Sequence, residues 1–486
     1  MASPNLALLT PERLEGIGKV SLAMLVFGIV LGIFSAGMEF YYIAAAFISL
    51  LLIVVFVWNF DIALIIYALV SFSPLGRTPD LMTGGSGAGK GLYVSELMIG
   101  FMLIIWVGRY FTNNLAKNRI STGFYKPLWV YICYMFVNVI TSFVFWDSHV
   151  PREYQNIFAT YAQLGLGVLS ALALAMMATT LSSMKTTIAT MIAFIIPGTL
   201  LPLNAFLGTP LKFIGAYFAP LLTAFPACFY ALAVVDGKYK YTWLRALALL
   251  PLAMIFFIDV IKFVSWVSGI VCLMTALGIT TLLYNWRLFV VCALLMVIVC
   301  AIFWPFIQTN IFDASDDEGD MKRFDMFKGS MRFANRFPLG VGCGNYRSYI
   351  IVYARRFNIP AYSSAHGTYA QHLAEMGWPG AILLLWFGIS GFVWLVKQIL
   401  VEENHHIKNF LIAAAANMVG IFVAASIGDY IIPAYHNGGV ATFSTTVQGW
   451  LIWGTAIALV RLSREEKEKQ RIALEGPPEE DDEEYA

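Results

Sequence analysis

The chain has 486 residues, of which 59% are hydrophobic and only 13% charged, and its mean hydropathy is +0.72. Such values exclude a soluble globular protein of this size and point to one embedded in a membrane. A formal net charge of +1 gives no basis for a nucleic-acid partner, and the six cysteines show neither a disulfide framework nor metal-ligand spacing.

Counting roughly 20 apolar residues per crossing, the sequence predicts helices near 18–36, 41–58, 61–73, 93–111, 125–146, 156–181, 185–206, 215–235, 242–260, 264–284, 286–306, 380–398, 409–428 and 441–461. The fold class is an all-α polytopic membrane protein with about 12–14 transmembrane helices. The count is fourteen if the short third run and the segment around Asp259 and Lys262 are both full crossings. Arg13 and Lys19 precede the first run as in a signal peptide. The length of that run and the lack of a small-residue cleavage site predict a retained helix instead. The chain divides into N-terminal spans to residue 306, a polar loop over 307–379, C-terminal spans over 380–461 and a tail over 462–486.

Orientation follows from basic residues in short loops. Arg109, Lys117, Arg119 and Lys126 form one group, and Lys238, Lys240 and Arg245 another. Lys397 and Lys408 form a third, and Arg461, Arg464, Lys467, Lys469 and Arg471 follow the last span. With fourteen spans all four groups share one side, the cytoplasm, so the 307–379 loop faces the periplasm from the inner membrane of a bacterium. The acidic, proline-bearing tail reads as a solvated, disordered end.

Two motifs do not survive inspection. GGSGAGKG, residues 84–91, has the glycine and lysine spacing of a phosphate-binding loop, but Gly91 stands where a hydroxyl must reach magnesium and no strand precedes it. DASDDEGD, residues 313–320, places Gly319 seventh and Phe324 twelfth, whereas a calcium loop needs glycine sixth and glutamate twelfth. Neither a short-period repeat nor an inverted pair of broken helices is visible.

The polar loop holds the chemistry. Between Lys322 and Phe337 the spacing is helical, with Lys328, Arg332 and Arg336 at i, i+4, i+8 beside an apolar flank of Phe324, Phe327, Met331 and Ala334. Such a helix suits a lipid interface, and its cations also suit the diphosphate of a lipid-linked substrate. FPLGVGCGNY follows, with Gly340, Gly342 and Gly344 alternating, a pattern that lets backbone turn tightly and approach other groups closely. Next, SSAHGTYAQHLAEMGWPG sets His366 just before a helical run, with Ser363 or Ser364 as its cap and Glu375 near the return to the membrane.

Together these residues resemble the O-antigen ligase and polymerase superfamily of bacterial membrane glycosyltransferases. The likeness rests on Arg323 four residues before Phe327, on the Pro338-Leu339-Gly340-Val341-Gly342 turn, and on His366, Tyr369, Glu375, Gly377 and Gly380. It covers about sixty residues of the chain. Gly367 stands where the family usually has asparagine. DVIKFVSW stands where the family has Ser-Arg, so Lys262 is the nearest cation there.

The resemblance implies a GT-C-like frame and transfer of a glycan from a polyprenyl diphosphate carrier to a glycan or lipid acceptor on the periplasmic face. It also implies an enzyme without cofactor or metal. His366 would activate the acceptor hydroxyl and Arg323 would be the principal diphosphate ligand. Arg332, Arg336, Arg347 and Lys262 would be further substrate contacts, and Glu375 would orient the loop. Within the family the acceptor stays open: a lipid core, a growing glycan or a protein. Two other readings stand beside it. In a transporter or flippase of lipid-linked sugars, Asp259 and Lys262 would form a gating pair. In a structural assembly subunit, Arg323 and His366 would share no cavity.

Overall fold

The computed structural model describes residues 59–72, 94–112, 123–144, 146–152, 154–188, 191, 267–302, 304–308, 320–357, 365, 367–431 and 441–475. All regular structure among them is helical. In chain order the named helices are α1 (Phe60–Phe72), α2 (Val94–Thr112), α3 (Tyr125–Val144), α4 (Tyr154–Met177), α5 (Val267–Tyr284), α6 (Trp286–Ile302), α7 (Trp304–Ile307), α8 (Asp320–Arg336), α9 (Tyr346–Phe357), α10 (Thr368–Val401), α11 (His405–Ala424) and α12 (Ala441–Glu475). Among the described residues, four segments are long and apolar enough to cross a membrane: Tyr125–Val144, Asn156–Met177, Thr368–Val401 and His405–Ala424. The spans expected near 18–36, 41–58, 215–235 and 242–260 lie outside the described residues, as do the two rejected motifs, apart from Asp320.

Two boundaries differ from expectation. Helix α10 starts at Thr368 rather than near 380, and it kinks at Gly377, where the backbone leaves helical geometry. Its N-cap is Gly367, with no side-chain capping bond, and the expected caps Ser363 and Ser364 lie outside the described residues. Helix α12 runs on to Glu475, so residues 462–475 are helical rather than part of a disordered tail. Ion pairs Arg461–Glu465 (2.6 Å) and Arg471–Glu468 (2.6 Å) link successive turns of that extension.

Small residues set the close helix contacts, as expected where van der Waals packing replaces a hydrophobic driving force. A Cβ on Gly420 would meet the Cys272 carbonyl and Ala276, fixing α11 against α5. Gly454 lies against Ala171, and Gly167 lies under the Trp450 indole, which joins α12 to α4. Phe387, Phe422, Trp450 and Trp453 fill the space between α10, α11 and α12.

One end of this bundle is tied by charge. Arg461, 2% exposed, donates to the Ala175 carbonyl at 3.2 Å and also to that of Ala178, satisfying carbonyls at the end of α4. Arg464 donates to Gln398 at 2.6 Å, and Lys467 pairs with Glu402 and Glu403. At the opposite end sits a separate small core, made by Phe333, Val341, Tyr346, Tyr349, Tyr353, Ala370 and their neighbours. It joins α8, α9 and the start of α10 into a cap over the outer end of α3.

Candidate functional site

The cap is organised around the α10 kink. Pro379 has no N–H, so the carbonyl of Glu375 has no partner four residues on. The chain breaks at Gly377 (φ +67°), and the exposed carbonyls of the turn are taken up by another part of the sequence. Val341 N donates to Ala374 O (3.1 Å) and Gly342 N to Glu375 O (2.8 Å), while Trp378 N donates to Pro338 O (3.2 Å). The FPLGVGCG turn thereby behaves as an extra strand of backbone laid across the broken helix.

This approach requires glycine on both sides. Gly340 and Gly377 face each other: a Cβ on Gly340 would strike the Glu375 carbonyl, and one on Gly377 would strike the Pro338 carbonyl. Gly340, Gly342 and Gly344 all have φ between +81° and +90°, the left-handed region that glycine enters without a side-chain penalty. The alternating glycines foreseen as a close-approach turn are that, and the surface they approach is the α10 kink.

Side chains of α3 and α4 lock the turn from below. Asn138 donates to Leu339 O (2.8 Å) and Glu375 O (3.2 Å), and its own oxygen accepts from the Tyr161 hydroxyl at 2.6 Å. The Tyr134 hydroxyl donates to Met376 O at 2.6 Å. Asn138 is fully buried in a segment apolar enough to span a membrane, where an amide costs several kcal/mol unless satisfied.

Glu375 is buried and accepts three bonds at one carboxylate oxygen: from Gly344 N (3.0 Å), Tyr346 N (3.3 Å) and Gln371 Nε2 (2.7 Å). Gln371 in turn accepts from Ala365 N at 3.2 Å, and its own backbone N–H donates to Gly367 O at 2.9 Å. A continuous path therefore runs from the glycine turn through Glu375 and Gln371 to both residues that flank His366. Gly367 is closely covered, since a Cβ there would meet Ser426 O at 3.1 Å. The segment after α11 is tied to the start of α10, with Thr368 N donating to Gly428 O (3.0 Å) and Tyr430 N to Thr368 Oγ1 (3.1 Å). Asp429 lies in the sequence between these two tied residues, Gly428 and Tyr430.

The predicted residues separate accordingly. Glu375 orients the loop through the bonds above. Arg336, exposed at the end of α8, lines a cleft of about 280 Å³ together with Thr141, Ser142, Pro338, Gly340 and Tyr349. Arg332 and Arg347 are exposed on α8 and α9 and do not line that cleft. Arg323 lies in the first turn of α8, but its side chain, like His366 and Lys262, lies outside the described residues, as does the Asp259–Lys262 pair. The cap's other histidine, His372, is buried, with its Nε2 2.6 Å from the Tyr131 hydroxyl and its ring stacked on that of Tyr131.

The apolar flank expected on α8 is divided: Ala334 joins the buried side, and the Phe324 side chain lies outside the described residues. Met326, Phe333 and Ala334 are buried, whereas Phe327 and Met331 are exposed. Compared with known proteins, the chain matches no protein-family model and no curated sequence.

Around the cleft, the loop after α3 is bound to α9. Tyr353 donates to the Asp147 carboxylate, Asp147 N donates to the Tyr349 hydroxyl at 3.2 Å, and His149 bonds the same carboxylate at 2.9 Å. These bonds to the charged form hold Asp147 down to about 2, below the usual carboxylate range. Arg152 caps this corner, 5.0 Å over the Trp146 ring. Sequence reasoning missed Asn138, Gln371 and Asp429. The first had a signal, an amide in the middle of an apolar run. The other two had none beyond lying in polar segments at the ends of spans.

Proposed function

We propose that the protein is a multi-span membrane glycosyltransferase that moves a polyprenyl-diphosphate-linked glycan onto an acceptor hydroxyl, with inversion at the anomeric carbon. The observation that supports this most is the bonded path linking the glycine turn, Glu375, Gln371 and the two residues beside His366. A transferase needs a base held at fixed distance from the leaving group, and this path ties the two halves of the motif into one unit. The basic end of the bundle would face the cytoplasm by the positive-inside rule, leaving the cap in the periplasm.

In the reaction, the acceptor oxygen attacks the anomeric carbon, the carbon–oxygen bond to the diphosphate breaks, and the acceptor proton passes to His366. General-base action of this kind contributes roughly 10²- to 10⁴-fold. Arg323, with Arg336 at the cleft, would stabilise charge building on the departing diphosphate, for which a planar guanidinium is suited. Arg347 and Lys262 are further contacts for the anionic donor. The product accumulated by cells lacking the protein tests the reading and resolves its variant. Long unattached chains identify a ligase and single repeat units identify a polymerase, whereas unchanged surface glycans would remove the proposal.

A further inference from the structure

Helix α8 carries a surface that the cleft does not use. Its buried side, formed by Met326, Ser330, Phe333 and Ala334, faces the cap core. Flanking it, Phe327 (37%) and Met331 (36%) are exposed one turn apart, with Lys328 and Arg332 next to them. Two large apolar side chains held open next to two cations do not suit bulk water.

What they face is indicated by the neighbouring helix. Beyond the kink, α10 exposes Trp378, Ile382, Leu385, Ile389, Val393 and Leu400, a stripe with helical spacing that suits contact with lipid tails. Its outermost member, Trp378, donates from Nε1 to Asn335 Oδ1 of α8 at 3.1 Å. Asn335 is exposed and lies one turn beyond Met331 on the same row. The row Phe327, Met331, Asn335 thus continues the lipid-facing stripe of α10 around a corner, with an indole at the junction where interfacial tryptophan is favoured.

We infer that α8 lies on the outer leaflet of the membrane, with Phe327 and Met331 entering the lipid interface and Lys328 and Arg332 meeting headgroup phosphates. The partner is the phospholipid surface. This division of the cationic row leaves Arg336, at the cleft, as the member turned toward substrate. The inference rests on the membrane reading of α10 and not on the transfer chemistry.

Nitroxide labels on single cysteines, in full-length protein with native cysteines replaced and reconstituted in phosphatidylcholine–phosphatidylglycerol vesicles, test it. At Phe327→Cys and Met331→Cys, relaxation by dissolved oxygen should exceed that by a water-soluble nickel chelate. The order should match Ile389→Cys and be reversed at Arg471→Cys. Labels at 327 and 331 that behave like the one at 471 overturn the inference, as does shielding from both reagents, which signifies a protein partner. A water-exposed label at 389 would overturn the membrane reading as well. With Lys328→Gln/Arg332→Gln, the shielding at 331 from nickel should fall at least about two-fold in anionic vesicles and stay unchanged in neutral ones. Equal shielding in both vesicle types removes the headgroup contacts.

Discussion

Gln371 holds both neighbours of His366, one through its side-chain oxygen and the other through its backbone N–H, while its amide nitrogen is fixed on Glu375. Neither Ala365 nor Gly367 has a side chain that could do this. Removing the amide would leave the Ala365 N–H and a lone pair of Glu375 unmatched, a cost of about 1–3 kcal/mol, and would free the histidine's backbone. Displacement of a base by about 1 Å is enough to lower a rate about 100-fold. In Gln371→Ala, kcat for transfer should therefore fall about 10- to 100-fold while KM stays within about two-fold. A rise in KM with unchanged kcat would show that Gln371 serves binding and not the position of His366. At this scale the sequence was informative about residue type but not about partner. Glu375 stands out in the sequence as a carboxylate near the return to the membrane, yet its donors are the amides of residues 344 and 346 and a glutamine one turn back. Backbone donors leave no trace in side-chain patterning.

At the scale of elements, the glycine turn and the α10 kink are two halves of one device. Gly377 supplies the break, Pro379 removes the donor that would heal it, and the turn of residues 338–344 fills the vacated bonds. Each half is legible in the sequence, as alternating glycines and as Gly-Trp-Pro-Gly before an apolar run. Their meeting is not, because it depends on a contact between segments more than thirty residues apart. Gly377→Ala puts an alanine at φ +67° and drives its Cβ into the Pro338 carbonyl. That positive-φ, extended conformation, essentially confined to glycine, alone costs about 1–3 kcal/mol. Thermal unfolding in detergent should show a drop of at least several degrees, while Gly100→Ala, which meets nothing within 4 Å in α2, should leave the midpoint level or raise it. Equal midpoints for the two variants would mean that the kink is not held by the turn. The amphipathic side of α8 shows the opposite failure of sequence reasoning. Helical period placed Phe327, Met331 and Ala334 on one apolar flank, but period does not say whether such a flank meets protein or lipid, and here Ala334 is buried beside Phe333 while Phe327 and Met331 are exposed.

For the whole molecule, the two ends of the bundle differ in the way the proposed reaction needs. Arginine and lysine side chains bind carbonyls and carboxylates at one end, where α4, α10 and α12 finish or continue. The cap and its cleft occupy the other. Among the described residues, the helical architecture and the four helices long and apolar enough to cross a membrane follow directly from apolar run length. Where α12 stops does not, because charged residues that read as a solvated tail also pair along a helix. We propose that the cap performs glycan transfer with His366 as base. The most direct test is the purified protein in vesicles, supplied with a polyprenyl-diphosphate-linked glycan and an acceptor bearing a free hydroxyl. The wild type should place the glycan on the acceptor with inverted configuration and release polyprenyl diphosphate, and His366→Ala should be slower by roughly 10²- to 10⁴-fold. Transfer at the wild-type rate by His366→Ala, or movement of intact donor across the membrane with no transfer, would contradict the account.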